Sequence, residues 1–471
     1  MLSSFSVLSV PRRGAARLAA ATLVSTLAAA GVVAGAGPAA AEDTSGGQGG
    51  ATATIGGLKT YGTAVIHGDG SDQEVSAGLF EMSVEGGGML QTYCVDIQTP
   101  TQKDAKYHET PWSGTSLGAN KDAGRIRWIL QNSYPQVNDL AALAEKAGVR
   151  GGLTEQDAAA GTQVAIWRYS DDADVEAVDP QAERLADYLE DNARDLAEPA
   201  ASLTLDPPAV SGRPGERLGP VTVHTNAGSA TVVPPTDAAM SGVRIVDRKG
   251  RAVTSVADGT QVFFDVPDDA AADTAELTVQ ASTTVPVGRA FASESRSQTQ
   301  ILAGSSESTV AATATATWAD EGAIPALSAA ENCAEGGLDI TAVNKGDEPF
   351  TFELMGTAHT IAAGESRTVT IPLQEDRPYD FVIQGPAGHE QRFAGVLDCR
   401  TQSSAAGDIT TQTVAEPTRP ATTGGTATDT NLAETGGSDE TPLIAGLALA
   451  LLAIGGVTLT IARRKNSSEH P

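Results

Sequence analysis

The sequence predicts a multidomain, mainly β protein. An N-terminal α+β domain, a β-sheet with a helical insertion, comes first; two Ig-like β-sandwich domains follow, and a C-terminal transmembrane helix ends the chain. Three observations predict this. Short alternating or β-rich runs, broken by Gly, Pro and Asp, fill most of the chain. A helical period occurs in one block, between about residues 122 and 196. Near the C-terminus a largely apolar run from Leu443 to Ala462 precedes Arg463-Arg464-Lys465, and about twenty such residues span a bilayer.

At 471 residues the chain has room for about three domains. Its formal net charge is −28. Nucleic-acid phosphates would be repelled by such a surface, so no nucleic-acid partner is expected; partners that present lysines are favoured. Aromatic residues make up only 4 %, which suggests small, strand-rich domains with modest cores.

Residues 1–41 read as a signal peptide. Arg12, Arg13 and Arg17 give the charged region, Leu18 to Ala36 the apolar core, and Ala39-Ala40-Ala41 a cleavage site before Glu42. Residues 52–205 form the first domain. Thr63 to His67, Ala77 to Val84 and Met89 to Ile97 are strand-like. Helices are predicted over Asp122 to Asn132, Asn138 to Ala147, Thr154 to about Tyr169, and Gln181 to Leu196. Thr154 and Asp157 have the spacing of a capping box for the third of these.

Residues 206–320 have no helical period. Strand-like runs at Val221 to His224, Val243 to Val246, Gln261 to Val266 and Glu276 to Gln280 predict a β-sandwich stalk domain. Residues 326–400 repeat the pattern at smaller size, with runs at Leu338 to Val343, Phe350 to Leu354, Arg367 to Ile371 and Tyr379 to Ile383. Residues 401–431, rich in Thr, Ala, Gly, Ser and Pro, are a spacer. Residues 432–471 hold Leu432-Ala433-Glu434-Thr435-Gly436, the apolar span 443–462 and the basic tail, which would place the C-terminus in the cytoplasm.

Three cysteines leave one over in an exported protein. Cys333 and Cys399 bracket the small third domain and are the expected disulfide. By the loop-entropy argument such a bridge contributes roughly 4 kcal/mol. Cys94 is then the unpaired thiol, a liability in an oxidising compartment.

Two stretches carry chemistry: Gln91-Thr92-Tyr93-Cys94-Val95-Asp96 and Gly161-Thr162-Gln163-Val164-Ala165-Ile166-Trp167. Gln163 falls in the middle of the third helix. Ala159, Ala160, Ile166 and Trp167 share its face at −4, −3, +3 and +4. The two alanines would let a strand approach closely, and Tyr93 and Trp167 would keep water away. Acylation of Cys94 by Gln163 would mask the thiol and create an electrophile, because sulfur overlaps weakly with a carbonyl. The bland alternative makes Cys94 a buried small hydrophobe and Gln163 an exposed helix residue.

Tyr93-Cys94 and Thr162-Gln163-Val164-Ala165-Ile166-Trp167 resemble the motifs of the thioester domains, also called TQXA domains, of Gram-positive surface adhesins. Thr162 departs slightly from the apolar residue usual before the Gln. The resemblance covers residues 52–205. It implies a Cys94–Gln163 thioester that captures an amine, such as a lysine of a host, matrix or neighbouring-cell protein. Leu432 to Gly436, with the span and basic stop behind it, resembles an actinobacterial sorting signal of the LAXTG form. That resemblance implies cleavage between Thr435 and Gly436 by a class E sortase, transfer to peptidoglycan, and only transient membrane anchoring. Location on the cell wall is expected.

Other chemistry is weaker in the sequence. His108 follows Cys94, but no Asn or Asp stands out to orient it as in a Cys-His hydrolase. Asp171, Asp172, Asp174 and Glu176 lack the glycine turn of a calcium loop. Lys249 and Lys345 are candidates for isopeptide bonds without an identifiable partner. A single-use reaction with no cofactor and no metal, rather than an enzyme, is therefore expected.

Overall fold

A computed structural model describes residues 49–68, 71–236, 238–385, 388 and 390–400. The expected signal peptide, spacer, sorting signal and apolar span at 443–462 lie outside the described residues. Among the described residues no helix is long and apolar enough to cross a membrane.

The first part of the chain supplies β1 (Thr52–Ile66), β2 (Gln73–Val84), β3 (Met89–Cys94) and β4 (Lys106–Thr110). Then come α1 (Ala123–Asn132), α2 (Leu140–Lys146), α3 (Glu155–Ser170), β5 (Val175–Ala177) and α4 (Pro180–Asn192). All four predicted helices are present. The second part supplies β6 (Leu203–Asp206), β7 (Ala209–Gly212), β8 (Arg217–Thr225), β9 (Ala230–Val233), a single turn α5 (Ala238–Ser241), β10 (Arg244–Val246) and β11 (Ser255–Val256). It continues with β12 (Gln261–Asp265), β13 (Asp273–Thr284), β14 (Ala290–Ser293), β15 (Gln300–Ser305) and β16 (Glu307–Trp318).

The first sheet closes on itself. Its order is β2-β3-β15-β14-β4-β1-β5, with β1 also paired to β2. β1 is long enough to serve three partners: β2 along one edge, β4 and β5 on the other. Register shifts near Gly57 and Lys59 give it the extra twist that closure needs. The closed ring is β2-β3-β15-β14-β4-β1, and β5, paired with β1 alone, keeps a short open edge.

Two of the ring's strands come from the segment assigned by sequence to the second domain. β13 and β16 pair antiparallel along their whole length, from Asp273 opposite Trp318 to Thr284 opposite Glu307. The chain between them leaves the sandwich, contributes β14 and β15 to the ring, and returns. The first domain therefore does not close near residue 205. Its core and that of the sandwich form one cluster, running from Ala51 to Trp318. A buried ion pair, Arg289 Nε to Glu109 Oε1 at 2.9 Å, fastens the start of the excursion to β4. Both partners are almost wholly buried, so removal of either leaves an uncompensated charge inside the protein.

The sandwich itself has sheets β10-β12-β8-β6 and β11-β9-β13-β16-β7. β7 runs parallel to β16. The third part contains β17 (Pro325–Asn332), β18 (Gly337–Asn344), β19 (Phe350–Leu354), β20 (Thr357–Ile361), β21 (Ser366–Pro372), β22 (Pro378–Gln384) and β23 (Glu390–Val396). Where the sequence pattern predicts an Ig-like sandwich, three small sheets, β17-β18-β21, β19-β20 and β22-β23, surround a core of their own. Cys333 and Cys399 are joined, with Cα atoms 5.0 Å apart.

The third part is not strung out beyond the second. The Cys333 N–H donates to the Ser113 carbonyl at 3.1 Å, and the Thr299 hydroxyl donates to Asp398 at 2.8 Å. Both ends of the disulfide-closed loop thus rest on the ring domain. Contacts to the sandwich include Arg213 with Asp347 at 3.0 Å.

Candidate functional site

α3 is buried on nearly every side. All residues from Ala158 to Trp167 are buried, the mark of a helix enclosed by its own fold. Its start is fixed by the Thr154–Asp157 capping box, with both reciprocal bonds formed. Its sides are fixed by close approach. A Cβ at Gly62 on β1 would lie 3.0 Å from the Ala160 methyl, and a Cβ at Gly161 would lie 2.4 Å from the Ala182 carbonyl oxygen on α4. Small residues on both faces wedge the helix between strand and helix, and this sets the height at which Gln163 enters the ring domain.

Cys94 is the last residue of β3. Neither Cys94 nor Gln163 is exposed to solvent. The Cys94 N–H donates to Gln163 Oε1 at 3.0 Å, and Gln163 Nε2 donates to the Cys94 carbonyl at 2.9 Å. Both ends of the carboxamide are latched to the backbone of the residue that carries the sulfur. The bland alternative of an exposed Gln163 does not hold.

The sulfur has its own surroundings. Gln300 on β15 lies directly opposite Cys94 in the antiparallel register. Its Nε2 donates to Cys94 Sγ at 3.3 Å, and its Oε1 accepts from the Thr92 hydroxyl at 2.9 Å. Thr101 Oγ1 lies 4.0 Å from Sγ. Burial pushes the Cys94 thiol up to about 12, against the partial relief that Gln300 and Thr101 provide. At neutral pH the free side chain is therefore a neutral thiol.

The other residues named from the sequence frame this pair. Tyr93 is fully buried and donates to the Tyr134 carbonyl at 2.9 Å. Burial also raises its phenol, so it stays neutral. The Thr162 hydroxyl folds back to the Ala158 carbonyl at 2.7 Å, which satisfies it inside the helix. Ala159, Ala160, Ile166 and Trp167 are all buried in the same core.

Loop 95–101 leaves Cys94 and returns Thr101 to its sulfur, and side-chain carboxylates hold its backbone. Asp171, which caps the C-terminus of α3, accepts from the Ile97 N–H at 3.1 Å. Asp96 accepts from Gln98 and Thr99. Burial and the neighbouring Asp96 raise Asp171 well above the usual carboxylate range. The acidic run at 171–176 is thus a helix cap and loop anchor at one end. At the other, His67 meets Asp72 and Glu176. His108 pairs with Thr52 and Glu294. Lys249 and Lys345 are both exposed, outside the core where a shielded isopeptide would form.

Chemically the arrangement can acylate the sulfur. Attack of Sγ on the Gln163 carboxamide carbon, with the thiol proton passing to the leaving nitrogen, yields a thioester and ammonia. The Cys94 N–H already points at the oxygen that gains charge in the tetrahedral intermediate. Gln300 escapes a reading of sequence alone, because nothing local to residue 300 reveals that it pairs with residue 94.

Residues 91–195 match the thioester-domain family. The match ends well before Gln300. Two solved structures, the TIE protein of Bacillus anthracis and the thioester domain of the Enterococcus faecium TIE86 protein, are each 15 % identical with a TM-score of 0.27. The alignment covers 74 % of this chain and 81 % of the first, and 58 % of this chain and 98 % of the second. TM-scores this low add nothing to the fold described above. No curated protein matches the chain. The segment that holds both Cys94 and Gln163 is similar to a thioester domain.

Proposed function

We propose that Cys94 and Gln163 join as an internal thioester, and that the chain is a cell-wall-anchored adhesin that uses this bond once. An amine, in the first instance a lysine on a host, matrix or neighbouring-cell protein, attacks the Gln163 acyl carbon. Its nitrogen bonds to that carbon, the carbon–sulfur bond breaks, and the amine proton ends on sulfur. The product is a stable amide between Gln163 and the target, with Cys94 restored as a thiol. No turnover follows. A covalent tether holds under flow, where non-covalent affinity has a ceiling.

The observation that carries this reading is the double latch of the Gln163 carboxamide onto the Cys94 backbone. Holding two reacting groups in one place contributes roughly 7–11 kcal/mol toward a barrier, and the buried setting slows hydrolysis of the product bond. Delivery to the surface rests on sequence features: the export signal at 1–41 and the sorting signal at 432–436 with its span. By these the mature chain is linked through Thr435 to peptidoglycan after sortase cleavage, and the membrane segment is temporary.

Intact mass spectrometry tests the reactive bond. The purified protein is expected to be lighter than its sequence by one ammonia, and to gain one methylamine when incubated with it. Cys94→Ala is expected to show neither change. A full-mass protein inert to methylamine refutes the reading and leaves a surface protein in which the two residues are merely packed.

A further inference from the structure

Gln300 touches the sulfur, yet it lies about a hundred residues beyond the end of the matched segment, on a strand lent by the sandwich. Residues directly opposite each other on antiparallel strands project to the same face, with Cβ atoms about 4.5–5.5 Å apart. A glutamine there is long enough to bring its amide to the tip of a cysteine. Gln300 has no solvent exposure, and a buried amide needs partners for both its ends. It finds them in the Thr92 hydroxyl and Cys94 Sγ.

The orientation of that amide follows from the chemistry. An acylated or ionised sulfur has no proton to give and can only accept. The NH2 must then face sulfur, which leaves Oε1 for the Thr92 hydroxyl, and these are the two bonds observed. Thr92, two residues before Cys94 on the same strand, thus sets the angle of the donor.

We propose that Gln300 is a catalytic residue of thioester capture: its Nε2–H stabilises the sulfur of Cys94 as the acyl–sulfur bond breaks. This rests on the thioester reading above and adds a group to it. As the amine nitrogen bonds to the Gln163 acyl carbon, the electron pair of the broken bond goes to Sγ. Negative charge then develops in a fully buried place. Burial alone makes that charge costly, as the upward shift of the free thiol shows, and Gln300 is the foremost of the groups that oppose the shift. The proton released by the amine reaches Sγ afterwards, which restores the thiol and balances the step.

The test uses the full-length protein with Gln300→Leu, Gln300→Glu and Thr92→Val, all checked for unchanged thermal unfolding. Methylamine capture is followed by intact mass, with the rate expressed per free amine across pH. Gln300→Leu is expected to capture at least tenfold more slowly, since loss of a single transition-state donor costs up to about 10²–10³-fold. Thr92→Val is expected to slow capture severalfold, by freeing the donor from its anchor. Gln300→Glu distinguishes chemistry from packing. Its carboxylate repels the departing sulfur, so its rate should fall relative to wild type as pH rises and recover as the carboxyl is protonated. Should Gln300→Leu not fold, Thr92→Val and Gln300→Glu decide. Wild-type rates in Thr92→Val, with a Gln300→Glu profile parallel to wild type, overturn the proposal while leaving the thioester intact. A wild-type protein of full mass instead overturns the reading beneath it.

Discussion

Cys94 and Gln163 make unequal demands on the fold. The Cys94 N–H and C=O are both satisfied by the Gln163 side chain, not by a neighbouring strand. Gln163→Ala would strand both backbone groups in a buried place, where each unsatisfied group costs about 1–3 kcal/mol. Cys94→Ala keeps both bonds and loses only a sulfur. Both variants are expected to lack capture, but Gln163→Ala should unfold at distinctly lower urea concentration than Cys94→Ala. Equal midpoints would mean that the carboxamide is not a structural latch. The odd cysteine alone marked Cys94; its pairing with Gln163 came from the resemblance of Tyr93-Cys94 and Thr162 to Trp167 to thioester-domain motifs, and the structure places the two side by side. Gln300 was not legible, because the register of a strand 206 residues away is set by folding and leaves no mark at either end.

At the scale of elements, the helical block was readable to within about two residues, because caps and period are local, except that the fourth helix ends at Asn192, four residues before the expected Leu196. The strand pattern was readable in kind and misleading in ownership. Alternation identifies a strand but not the sheet it joins, so β14 and β15 could not be assigned to the ring domain. A fragment ending near residue 205 should therefore lack two strands of the ring, Arg289 and Gln300. It is expected to be unfolded or molten and to show no loss of ammonia by mass. A fragment ending near residue 320 supplies all of these. A well-folded, thioester-bearing protein ending near 205 would contradict the topology.

Element packing gives a second prediction. Alanine is favoured over glycine inside a helix by about 1 kcal/mol, so Gly161→Ala would be stabilising if α3 stood alone. Here the added methyl would sit 2.4 Å from the Ala182 carbonyl oxygen. That atom belongs to the backbone of α4 and cannot rotate away. Overpacking of this kind costs about 1–3 kcal/mol. Gly161→Ala is expected to lower stability and, by pushing α3 and with it Gln163 off register, to lower the fraction of protein that has lost ammonia. Its neighbour Thr162 is the natural comparison, since Thr162→Ser keeps the back-bond to Ala158; it gives up one buried methyl, at about 1 kcal/mol, and should leave the fraction that has lost ammonia near wild type.

At the scale of the whole molecule, composition foretold an acidic, mainly β chain but suggested domains in a row. Instead the disulfide-closed part leans back on the ring domain, and the junction collects carboxyls. Asp398 faces Asp96, Asp376 and Glu375, with Thr299 as its donor. Arg296 lies 3.8 Å from Asp376. Nearby Glu331 is held by the Tyr379 hydroxyl at 3.3 Å. Burial, and for Asp398 the surrounding acids, push both carboxyls up to about 7. An unfolded chain ionises the same groups near 4. Between about pH 4 and 7 the folded form holds protons that the unfolded form has released, so stability falls as pH rises through that window and levels off above it. Thermal unfolding is therefore expected at higher temperature near pH 5 than near pH 8. Asp398→Asn keeps an acceptor for Thr299 without the titration, so it should raise the melting temperature near pH 8 and narrow the gap between the two pH values. The chain's −28 charge also favours mild acid, so the exposed Asp104→Asn serves as the control: it removes one charge that is not among the acids facing Asp398 and should leave the gap as it is. An equal narrowing in both variants would assign the effect to net charge and not to the docked carboxyls.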